Sequence, residues 1–398
     1  MPKKTTITGK NHDSVHVEGS NNILTVASKA TLIVSQDNGI WTDGGTTNNQ
    51  IIVNGLVQAS GIGNAGILLQ SDDSVITVAN GGDVSGLTGL SSLGNDVTIN
   101  NAGFIHTTGS PETDGVAIGD SEGAAVSGIL LHNTGDISGL VAVLINATDS
   151  TIENDAGGII LGTTTGIDIT GDVEIINHGL IKGTSISIVT HAQSVRIIND
   201  GTIRGTIFLG AGDDLVDNRG GVIKSGLIGG TGDDTLITDD AKLVLGETED
   251  GGTDTVKSTV AYTLSANVEN LVLLGSKDIK GIGNELANII TGNAGDNVLR
   301  GGGGVDILHG GKGDDMLFGG AERDTFVFQT GDGDDEIADF ETIDEHIDVS
   351  KWKAFHNFQE LHSAMKNEDG GVMITAGHDS LFIDNVTKKD MGEFHFDF

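Results

Sequence analysis

Between residues 283 and 327 five nine-residue phrases follow one another in strict register: GNELANIIT, GNAGDNVLR, GGGGVDILH, GGKGDDMLF and GGAERDTFV. Glycine recurs at the first, second and fourth positions, as at Gly301, Gly302 and Gly304, at Gly310, Gly311 and Gly313, and at Gly319 and Gly320. The sixth position is Asn288 and Asn297 in the first two phrases and a carboxylate, Asp306, Asp315 and Asp324, in the last three. Glycine lets the backbone curl so that carbonyl oxygens point inward, and the carboxylate adds charge. Calcium wants this donor set: roughly six to eight hard oxygens at about 2.3 to 2.6 Å in flexible geometry. Two earlier phrases, LGAGDDLVD (209–217) and GGTGDDTLI (229–237), carry Asp214 and Asp234 at the same position, twenty residues apart. An ion clamped between adjacent coils is expected there too. Asp335, in TGDGDDEIADF, reads as a further sixth-position ligand.

Such loops need short strands to hold them. Positions seven to nine of each phrase read as a strand whose eighth residue, Val216, Leu236, Leu299, Leu308, Leu317 or Phe326, enters a thin core. Two nonapeptides make one turn, so Asp306 is expected over Asp324 and Asn297 over Asp315. The sites then exist only when coils stack, which couples ion binding to folding. A merely solvated acidic surface would scatter its carboxylates without glycine register. The departures, Asn288, Asn297 and a Glu322 where glycine is expected, place the strongest sites at Asp306, Asp315 and Asp324.

This constellation resembles the RTX, or hemolysin-type calcium-binding, family, whose nonapeptide is GGxGxDxUx. The resemblance extends over roughly 240–398: the spacer 254–297, and an end (IADFETIDEHIDVS through FHFDF) similar to serralysin-type C-terminal domains. It implies Asp339 as a further acidic ligand, calcium as cofactor, and an uncleaved C-terminal signal read by a type I secretion apparatus. It also implies an extracellular protein that folds where calcium is plentiful. The N-terminus, MPKKTTITGKNHDS, lacks the apolar stretch of a cleavable signal, in keeping with that route.

The N-terminal half repeats differently. A phrase of apolar, x, Asn, x, Gly, x, apolar recurs with asparagines at 80, 101, 133, 154, 177, 199 and 218, mostly 19 to 23 residues apart. That period suits a parallel β-helix in which each coil buries its apolar side chains only against its neighbours. In VRIINDGTIRG, Val195 and Ile197 alternate with Arg196, as one buried face requires. Asn199 suits a left-handed turn and hydrogen bonds to its equivalents one coil away, and Gly201 is expected at positive φ. The fold class expected is therefore all-β: a parallel β-helix over 1–207, a transition with two calcium-type loops and a spacer over 208–282, an RTX β-roll over 283–340, and a small β-rich secretion-signal region over 341–398.

Composition excludes much else. The chain has 398 residues, 62 of them Gly, no Cys, and a formal charge of −36 from 57 acidic against 21 basic residues. No thiol chemistry or disulfide framework is possible, no apolar run approaches membrane-spanning length, and so acidic a chain is a poor nucleic-acid partner. Lys182, Arg204 and Lys224 each follow an apolar strand residue about one coil apart, a cation ladder suited to an acidic polysaccharide such as a uronan. No HExxH motif occurs, so a serralysin-like protease is not implied. A GxSxG string at 119–123 lies in a Gly- and Ser-rich insertion rather than a strand–turn–helix, and reads as chance. His106, His132, His178 and His191 lack metal spacing and read as turn or surface residues. No long amphipathic or apolar segment precedes the repeats, which disfavours a pore-forming toxin. The favoured function is a secreted, calcium-dependent solenoid with a structural, adhesive or binding role. The alternative is a uronan-modifying enzyme, an epimerase or lyase, and an acid/base cluster on one β-helix face would distinguish it.

Overall fold

The computed structural model describes residues 2–61, 63–108, 113–119, 125–191 and 194–398. It is nearly all β, with 51% of residues in strands and 3% in helix, and comprises two compact units, Met1–Gly230 and Thr231–Phe398. Each is a parallel β-solenoid.

In the first unit regular coils begin at the N-terminal end: Lys4–Ile7 pairs in parallel with Ile23–Val26, which pairs with Gln50–Val53. Stacking puts like residues in columns. Leu24, Ile51, Ile76, Ile99, Leu131, Ile152, Ile175, Ile197 and Val216 are successive register partners, all at most 2% exposed. No single coil can bury such a residue, so the core exists only as a stack. From Asp136 onward two faces fuse into long bent strands, Asp136–Thr148, Ile159–Thr170, Leu180–Thr190 and Thr202–Ala211.

The recurring asparagines form a hydrogen-bonded ladder beside that core. Each Nδ2 donates to the Oδ1 of the next: Asn101 to Asn133 (2.8 Å), Asn133 to Asn154 (2.8 Å), Asn154 to Asn177 (2.7 Å), Asn177 to Asn199 (2.6 Å) and Asn199 to Asn218 (2.6 Å). Asn80 stands outside it: Val78 is the register partner of Asn101, and Asn80 is exposed in the following turn. Two local expectations are corrected. Neither Asn199 nor Gly201 has positive φ. What requires glycine at 201 is close approach, since a Cβ there would stand 2.4 Å from the Gly179 carbonyl oxygen.

In the second unit two parallel ladders alternate. One runs through Thr255–Ser258, Asn270–Leu273, Ile289–Thr291, Ile307–His309, Thr325–Val327 and His346–Asp348, and ends on Phe396–Asp397. The other runs through Lys280–Ile282, Val298–Gly302, Met316–Gly320 and Asp334–Ile337 to Asp379–Asp384. There the sheet turns antiparallel, through Gly371–Ala376 to Lys366–Glu368. The chain's last strand is thus a rung of the roll. The described α-helix, Phe358–Ala364, begins at Asn357, whose side chain accepts from the Glu360 amide.

Candidate metal centre

The turns between these ladders carry the sixth-position residues. Leu299, Leu308, Leu317 and Phe326 point inward, at most 2% exposed, and this fixes the preceding sixth residue at the corner of each coil. On one edge Asn288, Asp306 and Asp324 stack: the Asn288 amide donates to Asp306 Oδ1 (2.7 Å) and the Asp306 amide to Asp324 Oδ1 (2.9 Å). On the opposite edge the Asn297 amide donates to Asp315 Oδ1 (2.7 Å) and the Asp315 amide to Asp335 Oδ1 (3.0 Å). One oxygen of each carboxylate is thereby satisfied.

The second oxygen is not. Asp306, Asp315, Asp324 and Asp335 are 0%, 2%, 0% and 3% exposed, and the Oδ2 atom of each is buried without a hydrogen-bond partner. A buried carboxylate left so is costly unless a positive charge joins it. Burial pushes Asp306 and Asp315 up to about 7, Asp324 to about 6 and Asp335 to about 8, with neighbouring carboxylates adding to the rise.

The glycines explain where these oxygens point. A Cβ at Gly301, Gly310 or Gly319 would lie 2.1, 2.2 or 2.3 Å from Oδ2 of Asp306, Asp315 or Asp324, and the one at Gly301 also 2.5 Å from the Gly319 carbonyl. Gly302, Gly304, Gly311, Gly313 and Gly320 have φ between +94° and +119°, which side-chain-bearing residues avoid. The loop is therefore an oxygen-lined cradle of carboxylates and carbonyls with no nitrogen or sulfur donor, which fits calcium. Glu322 takes the fourth glycine's place at φ +79°, so the loop geometry persists there under strain.

Where asparagine replaces aspartate the site closes on itself. Asn288 Nδ2 donates to the Val268 and Glu269 carbonyls (3.0 and 3.1 Å), and Asn297 Nδ2 to Asn293 Oδ1 (3.1 Å). Asp339 Oδ1 accepts from the Gly319 amide (2.9 Å), and burial raises its carboxyl.

Glu345 escaped the sequence reading. It is 0% exposed with Oε1 unpartnered, and burial and the nearby Asp324 and Asp339 push it up to about 8. Because His346 is the register partner of Thr325, Glu345 stands in the column of Asp324. No glycine marks it. The signal is the acid, x, apolar, x order of Glu345, His346, Ile347 and Asp348.

In the first unit Asp214 is 2% exposed and its Oδ1 accepts from the Val195 amide (2.6 Å). In the second unit Asp234 is 1% exposed. Lys182 and Arg204 are register partners, and the Lys224 amide donates to the Ile203 carbonyl (3.1 Å). Arg204 and Lys224 are exposed and Lys182 half-buried, and among the described residues none of the three forms an ion pair. The histidines pair with aspartates: His106 with Asp83 (3.0 Å), His132 with Asp155 (2.6 Å), His178 with Asp200 (2.5 Å) and His191 with Asp168 (3.4 Å). Asp168 and Asp114 are both raised by burial, and Asp114 further by the Asp168 charge. Residues 120–123 of the GxSxG string lie outside the described residues.

Residues 282–317 and 291–326 match the model of the RTX calcium-binding nonapeptide repeat (4 copies). No curated protein matches the chain. The segment 282–326 is thus made of RTX repeats, calcium is the ion that they bind, and they form part of a chain that is a β-solenoid.

Proposed function

We propose that this chain is an extracellular scaffold or adhesive protein whose second unit folds on calcium. The ions would be held by Asp306, Asp315, Asp324, Asp335 and Asp339 with the carbonyls of the loop glycines 301, 302, 304, 310, 311, 313, 319 and 320, and by Asp214 in the first unit and Asp234 in the second. The observation that carries this reading is the series of buried, unpartnered Oδ2 atoms aimed at glycine backbone. Calcium supplies the positive charge and the further bonds that these oxygens lack. The chain's own part is to present them at fixed spacing once coils stack. With its carboxylates repelling one another in the ion's absence, the second unit would stay unfolded where calcium is scarce and fold outside, after passage through a type I secretion apparatus. The domain limits proposed are 1–207, 208–282, 283–340 and 341–398.

A calcium titration of the full chain followed by circular dichroism tests this. Asp306→Asn with Asp324→Asn is expected to raise the midpoint at least tenfold, about 1.4 kcal/mol. An unchanged midpoint would remove the assignment of these ligands.

The partner proposed for the first unit is an acidic polysaccharide lying along Lys182, Arg204 and Lys224. Like charges one coil apart, about 5 Å, repel by about 1 kcal/mol even in water, and a polyanion relieves this. Changing all three to Gln should abolish salt-sensitive retention on alginate or pectate while calcium-induced folding persists.

A second reading, a uronan-modifying enzyme, is favoured by one observation: Asp114, Asp168 and His191 gather raised carboxyls beside an imidazole on the β-helix. Proton NMR of alginate and pectate incubated with the protein would decide it. New anomeric or unsaturated-sugar signals, lost in Asp168→Asn, support it, and an unchanged polymer sinks it.

A further inference from the structure

The column of Asp306 and Asp324 has counterparts ahead of the five consecutive phrases, beginning at Asp234, the sixth residue of GGTGDDTLI. Asp234, Asp254 and Glu269 each open the same acid, x, apolar, x order, in DTLI, DTVK and ENLV. They are linked as the repeat carboxylates are. The Asp234 amide donates to Asp254 Oδ1 (2.8 Å) and the Asp254 amide to Glu269 Oε2 (2.7 Å). Glu247, carried by the irregular stretch LGETEDGG, reaches the same place: one carboxylate oxygen from each of Asp234, Glu247 and Asp254 lies within 4.8 Å of the other two.

We propose that Asp234, Glu247 and Asp254 form a separate site for a hard divalent cation of calcium's size, outside the segment 282–326 that matches the repeat. It rests on reading the chain as calcium-binding. Beyond the clustering, Asp254 is 0% exposed and its Oδ2 is buried without a hydrogen-bond partner. Metal–oxygen bonds of about 2.3 to 2.6 Å place two ligand atoms of one ion at most about 5 Å apart, the separation these three carboxylates present. The donors are oxygens alone. The adjoining turn is also built as in the repeats: Gly252 has φ +152°, and a Cβ there would stand 2.2 Å from the Gly232 carbonyl oxygen. Thr253 donates its amide to Asp233 Oδ1 at 2.8 Å, tying the two turns together. The site differs from the repeats in taking Glu247 from an irregular stretch, so the nine-residue pattern marks Asp234 but neither Glu247 nor Asp254.

Calcium bound per full-length chain, counted by native mass spectrometry at millimolar calcium, tests this with two double variants. Glu247→Gln with Asp254→Asn is expected to bind one ion fewer than the wild type while the repeats still fold on calcium. Asp306→Asn with Asp324→Asn is expected to lose ions from the repeats and keep the spacer ion, with calcium-dependent slowing of amide exchange across 245–256. An undiminished count in the first variant overturns the spacer site and leaves the repeats intact. If that variant does not fold, the second decides: absence of calcium-dependent protection across 245–256 overturns the site. A wild-type chain that binds no calcium would instead overturn the underlying reading of the repeats.

Discussion

The two units solve one problem with different side chains. A solenoid must satisfy the polar groups at its coil corners, where every buried residue meets its own kind above and below. In the first unit the corner residue is a neutral amide, and an amide is self-complementary: Asn177 accepts from Asn154 and donates to Asn199. In the second unit, past Asn288 and Asn297, it is a carboxylate, which only accepts. One oxygen takes the backbone amide of the preceding coil, and Asp306, Asp315, Asp324 and Asp335 each keep a second without a partner. An amide ladder is complete in the chain itself, whereas a carboxylate ladder is complete only with a cation. The first unit should thus be stable on its own terms, and the second conditional on calcium.

The sharpest way to break this comparison is to remove calcium. With chelator the second unit is expected to lose most of its stability, several kcal/mol, because each ion bound only by the folded form stabilises it by mass action. Limited proteolysis should then digest chain beyond about residue 231 and spare the first unit. Equal digestion of both would refute the distinction. The converse experiment transplants the charge. Asn177→Asp puts an acceptor against Asn199 Oδ1 in a buried ladder, and should destabilise the first unit by about 3 kcal/mol. Calcium is not expected to rescue it in thermal melts, and rescue would show that the amide ladder is not what separates the units.

A smaller effect comes from pH. In the calcium-free second unit Asp306 and Asp315 stand at about 7 and Asp335 and Glu345 at about 8, far above the ordinary value near 4. Such groups hold protons more tightly folded than unfolded, so their penalty is absent below about pH 4 and grows as pH rises through the folded values. The calcium-free second unit should therefore melt higher at pH 5 than at pH 8. With calcium the order should reverse, since protons then compete with the ion. A calcium-free melting point that rises with pH would contradict the assignment. The smallest change expected is from Glu322→Gly, which relieves a side-chain-bearing residue at φ +79° and removes a charge near Asp306 and Asp324. A gain of about 1 kcal/mol is expected, read from the calcium-loaded melt.

Much of this was legible because both ladders are periodic. Asn199 and Asp324 announce themselves by recurring at fixed intervals among glycines, and Leu308 and Ile197 by alternation. Glu345, Glu247 and the trio Asp114, Asp168 and His191 did not. Their loops break the period, and residues such as Asp114 and Asp168 meet only after coils have stacked. Two readings of local conformation also failed at Asn199 and Gly201, where recurrence reflects contact between coils rather than a left-handed turn.

The sequence by itself determined the class of fold, the positions of the amide and carboxylate columns, and calcium as the ion, because a repeat of one coil's length places each residue against its own copy. Tertiary structure alone decided which oxygen of each carboxylate the backbone satisfies and which it leaves for a cation. It also decided which irregular residues join the columns. Both depend on how far one coil is displaced against the next, a distance of ångströms that residue order does not encode at any single position.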